Sequence, residues 1–521
     1  MIQSPQFTNR FLLLLLVLYA MMSLLTLTRF PLMHSDESWL SGLSRHILVT
    51  GNIAATEPCF DLNPRLPHAF KILFHGLQIL SIKLLGYHLF SVRSLSLIFG
   101  LFTLIFFYKL GKLILPAKKW ALLSCSLLGI DVQFIYASHF GRQEIILLFL
   151  GVCGLYYLQK KRNRSGYGRD LLLGTVAGLG IGIHPNGFLI AIMLGAVYLF
   201  HIRFSKTLKF RNLSFYSLIF LLWTGIFIGL SFSFKPDFIA NYLAYGQQQF
   251  GVLNPFIAKL GRLGKFYQHI YQQRCGTYYG PHIEIDLIFL GIGLLYAIGK
   301  PLISRVAFDP FSTWIILALL SFNLGMILIG RFNYTSIIFL FPFYYLLTTN
   351  IIGSLPHKHQ FWVSGMFFLL ILSNTIWNMS SFMQYDYSSY LHKIAGTIGP
   401  ERKVLASLNT EYDFADGALL DFRNLSYLKK YHLSFADYVR SRQIEYIIYP
   451  EGLDFIYRSR PQWNGVFGPL PYYNDLKKFL GAHCRPLYRF TDAAFGIEIA
   501  QYVGGKNWQI IIYRVLPASD P

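Results

Sequence analysis

Long apolar segments recur through the first three quarters of the chain, and short polar loops separate them. Segments of this length are typical of helices that cross the hydrocarbon core of a bilayer. We predict eleven such spans, at residues 11–28, 92–110, 120–138, 143–158, 171–183, 187–201, 213–233, 284–299, 311–330, 334–349 and 361–378. The pattern therefore predicts a polytopic α-helical membrane protein.

Basic residues indicate how the spans are oriented. Four clusters of lysine and arginine fall on one side of the membrane if the spans alternate: residues 109–119, 160–169, 203–211 and 300–305. Loops rich in these residues stay in the cytoplasm, so we predict a cytoplasmic N-terminus. The first outer loop, 29–92, and the long outer loop, 234–283, then lie on the opposite side, together with residues 379–521.

One apolar stretch inside the first outer loop, residues 68–90, looks like a further span. Counting it as one would move the lysines of 109–119 outside, against the positive-inside rule. Polar residues also recur along it at helical spacing: His68, Lys71, His75 and Gln78. An apolar helix with one polar stripe suits the membrane interface, so we predict an in-plane helix here.

The last part of the chain, residues 379–521, has a different pattern. "KVLASL", "IEYIIYP" and "WQIIIYRV" are typical of short strands, whereas "SFADYVRSRQ" and "NDLKKFLGAH" are typical of helices. A segment of this size can hold a hydrophobic core of its own. We therefore predict a transmembrane domain at 1–378 and a C-terminal extracytoplasmic α/β or α+β domain at 379–521.

The composition agrees with a membrane protein and narrows the partners. Only 14% of the residues are charged, against about 25% in soluble domains. The formal net charge of +21 falls largely in the inner loops, so we expect no nucleic-acid partner. The five cysteines are dispersed without CxxC spacing, which argues against a zinc site or a disulfide framework. The first apolar run lacks a small-residue cleavage site, so we interpret it as a retained span.

Two adjacent acids follow the first span, in "PLMHSDESWLSG" at residues 31–42. Asp36 and Glu37 could be ordinary loop polarity, but acids are scarce here, 25 against 46 lysines and arginines. A carboxylate beside the bilayer is partly desolvated, which opens its pKa to tuning. Such a group can act as a general base.

Other polar residues fall on the same outer face of the membrane. They are Arg142 and Glu144 in "SHFGRQEIILL", His184 and Asn186 in "GIHPNGF", and Arg331 and Tyr334 in "GRFNYT". An arginine at such a boundary can simply extend to lipid headgroups, and "HPN" can be an ordinary turn. The loop 234–283 is rich in Tyr, Gln, Lys and Arg, which suits a sugar or amphiphilic ligand as well as an aromatic belt. Together these residues suit an anionic, lipid-embedded substrate.

The order of these motifs resembles the GT-C glycosyltransferases, in particular the dolichyl-phosphate-mannose protein mannosyltransferase and aminoarabinose lipid A transferase superfamily. The resemblance covers about residues 10–350. It is carried by "HSDESWLSG", the segment from Pro67 to "SVRSLSLIFGL" with Arg93, "YASHFGRQEIILLFL", "GLGIGIHPNGFLI" and "RFNYTSIIFLFPFYYLL".

The resemblance implies transfer of a sugar from a polyprenyl-phosphate carrier to an acceptor on the non-cytoplasmic face. Asp36 would be the general base, and Glu37 would support it or hold a cation. The candidates for the donor phosphate are Arg93, Arg142, His184 and Arg331; Glu144, Asn186 and Tyr334 are further site candidates.

The metal and the acceptor stay open at this point. The aminoarabinose branch has a second loop acid before a Lys-Pro-Pro run that this sequence lacks, and Glu57 or Asp61 would have to replace it. A divalent cation is therefore left open, and no other cofactor is expected. The sequence has no visible β-trefoil insertion, which favours a bacterial-type enzyme of the inner membrane. The acceptor could be a lipid, a glycan or a protein.

Two other functions compete with this interpretation. A transporter or flippase of lipid-linked sugars would more typically show internal repeats and charges at the membrane midplane, and the sequence has neither feature. A non-catalytic scaffold, whose C-terminal segment binds a partner, would place no requirement on the acids.

Overall fold

A computed structural model of the chain describes residues 5–62, 66–164, 166–204, 207–304, 309–459, 468, 470–496 and 506–517. Sixteen α-helices are described up to residue 380 in chain order: α1 (Pro5–Thr26), α2 (Ser35–Thr50), α3 (Ile72–Leu85), α4 (Leu89–Ile114), α5 (Lys118–Ile130), α6 (Val132–His139), α7 (Glu144–Lys160), α8 (Gly168–Ile183), α9 (Gly187–Phe204), α10 (Phe210–Phe234), α11 (Phe238–Phe250), α12 (Phe256–Tyr271), α13 (Glu284–Ser304), α14 (Pro310–Ile329), α15 (Phe341–Gly353) and α16 (His357–Ser380). A 3₁₀ segment, Tyr334–Leu340, leads into α15.

Helices occupy all eleven predicted spans. By length and hydropathy, eight of the described helical segments can each cross a bilayer. Helices α5 and α6 pass the same test only when they are taken together, and they are bent by 62° relative to each other. The fourth and fifth predicted spans correspond to α7 and α8, which are shorter, at 17 and 16 residues. The chain is thus an integral membrane protein, as the apolar pattern predicted.

The bend between α5 and α6 is stabilised by one aspartate. Asp131 has extended backbone angles and caps α6, because its Oδ1 accepts from the amides of Gln133 and Phe134 at 2.8 and 3.0 Å. Its Oδ2 accepts from the Tyr345 hydroxyl at 2.6 Å. A helix break at membrane depth is tolerated when its free backbone groups find such partners.

The "HPN" break between α8 and α9 is buried and is not an ordinary exposed turn. His184 is extended and fully buried. The start of α9 passes so close to α8 that a Cβ on Gly187 would lie 2.3 Å from the carbonyl carbon of Gly180. Only a glycine fits at that crossing, which fixes the break against the preceding helix.

The apolar stretch of the first outer loop forms α3. Its 14 residues reach about 21 Å, less than the ~30 Å hydrocarbon core, so the alternative of a twelfth span is disfavoured. The helix begins at Ile72, four residues later than predicted. The polar stripe faces α2: Ser44 Oγ donates to Gln78 Oε1 at 2.7 Å and lies 2.8 Å from His75 Nδ1. The polar side chains of α2 and α3 hydrogen-bond to each other. This pairing explains the orientation of α3 better than contact with lipid headgroups.

The C-terminal segment contains a mixed five-stranded sheet. Its strands are β1 (Val404–Ala406), β2 (Leu419–Asp421), β3 (Tyr446–Pro450), β4 (Cys484–Asp492) and β5 (Trp508–Val515), in the order β2-β1-β3-β5-β4. Strand β1 pairs in parallel with β2 and β3, and β5 is antiparallel to β3 and β4. The accompanying helices are α17 (Tyr387–Ala395), α18 (Phe435–Ser441), α19 (Gly452–Ser459) and α20 (Leu470–His483), with 3₁₀ segments at Leu408–Asp413 and Phe422–Tyr431. The predicted α/β character is confirmed.

The first outer loop and the sheet domain share a hydrophobic core. Leu32, Met33 and Phe60 of the loop lie in the same buried cluster as Tyr387 and Leu408. The two segments therefore bury part of each other's apolar surface. All five cysteines are buried and unpaired.

Candidate functional site

A large cavity lies between the outer loops, the transmembrane helices and the sheet domain. Its volume is about 1220 Å³, above the roughly 300–1,000 Å³ of ordinary small-molecule pockets. Five of the residues predicted for the site line it: Asp36, Glu57, Arg142, Arg331 and Tyr334. Many of the other lining side chains are apolar, so the cavity combines a few charged groups with a largely apolar wall.

Asp36 lies in the first turn of α2, whose start is fixed by His34. The Asp36 amide donates to His34 Nδ1 at 3.0 Å. Its Oδ2 accepts from Arg142 Nη1 at 2.8 Å and from the Tyr278 hydroxyl at 2.6 Å. Burial alone would raise the pKa of Asp36, but the Arg142 and His34 charges and the Tyr278 hydrogen bond outweigh it and hold this pKa below its ordinary value. The side chain is therefore an ionised carboxylate.

Tyr278 is a site residue that the sequence reasoning missed. Its hydroxyl donates to Asp36 and accepts from Arg142 at 2.7 Å, and its ring stacks on His34 with centroids 4.6 Å apart. The aromatic composition of loop 234–283 was a signal, but nothing distinguished this tyrosine from the others there. Tyr278 thus joins the acid to the arginine.

Glu37 and Arg93 hold each other away from the cavity. Both side chains are fully buried, and Arg93 donates from Nε and Nη2 to the two Glu37 oxygens at 2.8 and 2.7 Å. Arg93 Nη1 also donates to the carbonyls of Leu27 and Pro31. This arrangement ties the start of α2 to α4 and to the end of α1. It gives no support to Arg93 as a phosphate ligand, because that contact would require the pair to open.

Arg142 lies between two acids. Its Nη2 is 3.2 Å from Glu144 Oε1, which also accepts from Thr335 at 2.7 Å, while Nη1 reaches Asp36. Within the described residues, Arg142 Nε and Glu144 Oε2 are buried without a hydrogen-bond partner. Buried polar atoms are nearly always paired, so Arg142 is held between the two acids with one donor unsatisfied.

His184 and Asn186 lie behind the cavity wall, which Pro185 lines between them. Asn186 donates its amide to His184 Nδ1 at 3.1 Å and its side chain to Ser336 Oγ at 3.1 Å. His184 Nε2 is buried without a partner in the described part of the chain. These two residues brace the break between α8 and α9, next to the cavity.

Arg331 and Tyr334 also line the cavity. The Arg331 guanidinium covers the Phe250 ring at 4.6 Å, and its Nε is buried without a partner among the described residues. The Tyr334 hydroxyl lies 2.9 Å from His269 Nδ1, and its ring stacks on Phe266. Lys71 of the α3 stripe also lines the cavity, so it adds a positive charge that was not assigned to the site.

The two acids offered for a metal site point to different places. Glu57 lines the cavity and accepts from Trp39 Nε1 at 2.6 Å. Asp61 instead accepts from Tyr438 at 2.9 Å and pairs with Arg442 of the sheet domain. Among the described residues no group of three or more His, Cys, Asp or Glu side chains could hold a metal ion.

Comparison with known proteins agrees with this architecture. Residues 72–226 match the sequence model of the family described as dolichyl-phosphate-mannose-protein mannosyltransferase. No curated protein has a significantly similar sequence.

Solved structures share the fold at low sequence identity. ArnT from Cupriavidus metallidurans, bound to undecaprenyl phosphate, matches with a TM-score of 0.55 and 11% identity over 98% of this chain and 99% of that one. AglB, the oligosaccharyltransferase of Archaeoglobus fulgidus in complex with an inhibitory peptide and a dolichol-phosphate, matches with a TM-score of 0.53 and 13% identity over 89% and 72%. Both are GT-C glycosyltransferases, so the resemblance predicted from the motif order is confirmed.

Proposed function

We propose that this chain, which has the GT-C fold, is a membrane glycosyltransferase that takes a sugar from a polyprenyl-phosphate-linked donor. One observation carries the proposal. An ionised Asp36 lies in a largely apolar cavity whose wall also carries Arg142 and Arg331. A carboxylate that can deprotonate the acceptor and cations that can bind a phosphate thus share one largely apolar cavity.

The two guanidinium groups suit a phosphate. Guanidinium groups bind phosphate oxygens through charge-assisted, often bidentate hydrogen bonds. Lys71 brings a third cation to the same cavity, and the apolar lining suits the lipid chain. Undecaprenyl phosphate in ArnT and dolichol-phosphate in AglB are ligands of this class, which supports a polyprenyl carrier here.

The reaction is a direct displacement. The acceptor hydroxyl gives its proton to Asp36 while its oxygen bonds to the anomeric carbon. The bond between that carbon and the phosphate oxygen breaks, and the electron pair leaves with the phosphate, where Arg142 and Arg331 stabilise its charge. A phosphate beside Arg142 offsets the positive charge that lowers the pKa of Asp36. Donor binding therefore makes Asp36 a better base.

The other predicted residues act around this centre. Glu37 and Arg93 hold the start of α2, Glu144 orients Arg142, and His184 with Asn186 supports the cavity wall. We propose that the site faces the periplasm of a bacterial inner membrane, with the N-terminus in the cytoplasm and residues 379–521 forming a periplasmic domain. The acceptor is a lipid, a glycan or a protein.

The proposal is tested with the full chain reconstituted in liposomes. Radiolabelled polyprenyl-phosphate hexose and pentose donors are supplied in turn, with a membrane extract as the acceptor source. We expect label to pass from one donor to a second lipid, glycan or protein fraction. Movement of intact donor across the bilayer without transfer would identify a flippase instead, and label that stays on every donor would contradict the proposal.

A further inference from the structure

Helix α2 connects the proposed reaction centre to the sheet domain. Asp36 lies in its first turn, and the second half of the helix contacts residues 411–416. The Ser41 and Tyr412 hydroxyls are 3.0 Å apart. His46 Nδ1 lies 2.6 Å from Asp416 Oδ2. One side of α2 therefore rests on the sheet domain from its middle to its end.

An arginine forms the centre of this contact. Arg45 donates from Nη1 to the Phe414 carbonyl at 2.5 Å and from Nη2 to Glu411. Its guanidinium also covers the Tyr87 ring at 4.1 Å. Arg45 and Glu411 are only 9% and 4% exposed, so water does not screen the contact.

The fit around Glu411 is close. A Cβ on Gly42 would lie 3.2 Å from Glu411 Oε1, so a larger residue there would press on this carboxyl group. Burial raises the pKa of Glu411 to about 8 even though Arg45 opposes the rise. A glutamine keeps the side-chain oxygen that accepts from Arg45, which makes Glu411→Gln the conservative variant of this position.

We propose that the sheet domain positions Asp36 through α2, and that Arg45, Glu411 and Tyr412 are positioning residues for the transfer reaction. This inference rests on the proposed function. The pair Glu37–Arg93 fixes the first turn of α2, and Ser44 joins a later turn to His75 and Gln78 of α3. The contact with the sheet domain, nine residues from Asp36 or about 13 Å along the axis, adds an attachment that does not depend on α3.

The test compares variants at this contact in the full chain. Arg45→Met and Tyr412→Phe break it, and Tyr412→Phe removes a single hydroxyl in case the first variant fails to fold. We expect kcat to fall about tenfold for Tyr412→Phe and up to a hundredfold for Arg45→Met, because small misplacements of a reacting group have large effects. The KM for the donor should change little. Glu411→Gln should lose less activity than Glu411→Ala.

Two matched controls break other contacts of the sheet domain. Arg442→Gln removes the pair with Asp61, which also joins this domain to the first outer loop but does not touch α2. Arg402→Gln removes an exposed pair with Glu445 inside the domain. Both should transfer sugar at close to the wild-type rate. An equal loss in all variants would show general destabilisation and overturn the proposal.

A double-variant cycle separates positioning from a merely structural role. If Arg45 acts through Asp36, Arg45→Met should add no further loss in the Asp36→Asn background. Independent, additive losses would overturn the proposal.

Amide hydrogen exchange tests the coupling without relying on activity. Arg45→Met should accelerate exchange along α2 as far as residues 36–40, while Arg442→Gln should not. Unchanged exchange at 36–40 would overturn the positioning proposal even for an active enzyme. If the wild-type chain transfers no sugar but Arg45→Met still accelerates exchange at residues 36–40, the result would support the coupling and contradict only the proposed function.

Discussion

At the scale of single residues, the account depends on what surrounds Asp36. Arg142 and Tyr278 both donate to the same oxygen of this acid. Its neighbour Glu37 was an equal candidate in the sequence, but adjacent residues on a helix point about 100° apart. One therefore faces the cavity and the other faces Arg93. Which acid faced which side depended on the packing of α2, and no local pattern could reveal it.

Tyr278→Phe tests how Asp36 is kept ionised. The Tyr278 hydrogen bond lowers the pKa of Asp36, so its loss should raise that pKa. A base must be ionised, and activity falls as the pH drops through its pKa. The acid limb of kcat should thus move to higher pH, on the order of one unit. Tyr271→Phe, an exposed tyrosine at the end of α12, serves as the control; an unmoved acid limb in Tyr278→Phe would refute this role.

Arg331→Gln tests the phosphate site. Loss of a charge-assisted hydrogen bond costs roughly 1.5–3 kcal/mol, so the donor KM should rise about tenfold to a hundredfold. The kcat should fall as well, because Arg331 also stabilises the charge on the leaving phosphate. Steady-state kinetics with varied donor measures both, and Arg440→Gln in α18 is the matched control. An unchanged KM would remove Arg331 from the donor site.

At the scale of elements, the hydrophobic pattern was enough to predict the apolar spans but not the helices and strands that lie between and after them. Every span came from a long apolar run, whereas α11 and α12 lie in a loop of mixed composition. Strand β2 has only three residues, and five consecutive positions of β4 are exposed. Neither strand has the alternation that signals a half-buried strand. The bend at Asp131 was also invisible, because it depends on Tyr345, far along the chain.

Arg93→Met tests the structural role of the buried pair. The variant leaves the Glu37 carboxylate buried without its partner, which costs about 3–5 kcal/mol. We expect a clear fall in the thermal unfolding midpoint in detergent, partly recovered in the double variant Glu37→Gln with Arg93→Met. Arg402→Gln, which breaks an exposed pair, should cost under ~1 kcal/mol. Equal midpoints for Arg93→Met and the wild type would contradict the structural role.

At the scale of the whole molecule, alternation of the spans assigned the outer loops and the C-terminal segment to one side. The shared core of Phe60 with Tyr387 and Leu408 agrees with that assignment. The contacts themselves could not be predicted, since Arg45 and Glu411 lie 366 positions apart and leave no periodic signal. Fold class could thus be read from composition and order, whereas the joint between domains could not.

The orientation gives a separate prediction. A reporter enzyme that is active only outside the cytoplasm, fused at residue 379, should be active, because the basic loops hold the other side in the cytoplasm. The same reporter fused within 160–169 should be inactive. The opposite pair of results would reverse the topology and place Asp36 on the cytoplasmic face.

Transfer by two matched variants tests the central claim most directly. Asp36→Asn and Asp61→Asn make the same chemical change in the same outer loop, but only Asp36 lines the cavity, while Asp61 pairs with Arg442. Label transfer from the polyprenyl-phosphate donor is measured in one membrane preparation, at equal protein levels. We predict a loss of at least about a hundredfold for Asp36→Asn, since general-base catalysis contributes roughly 10²–10⁴, and near wild-type transfer for Asp61→Asn. Equal transfer by both variants would contradict Asp36 as the base of a glycosyl transfer reaction.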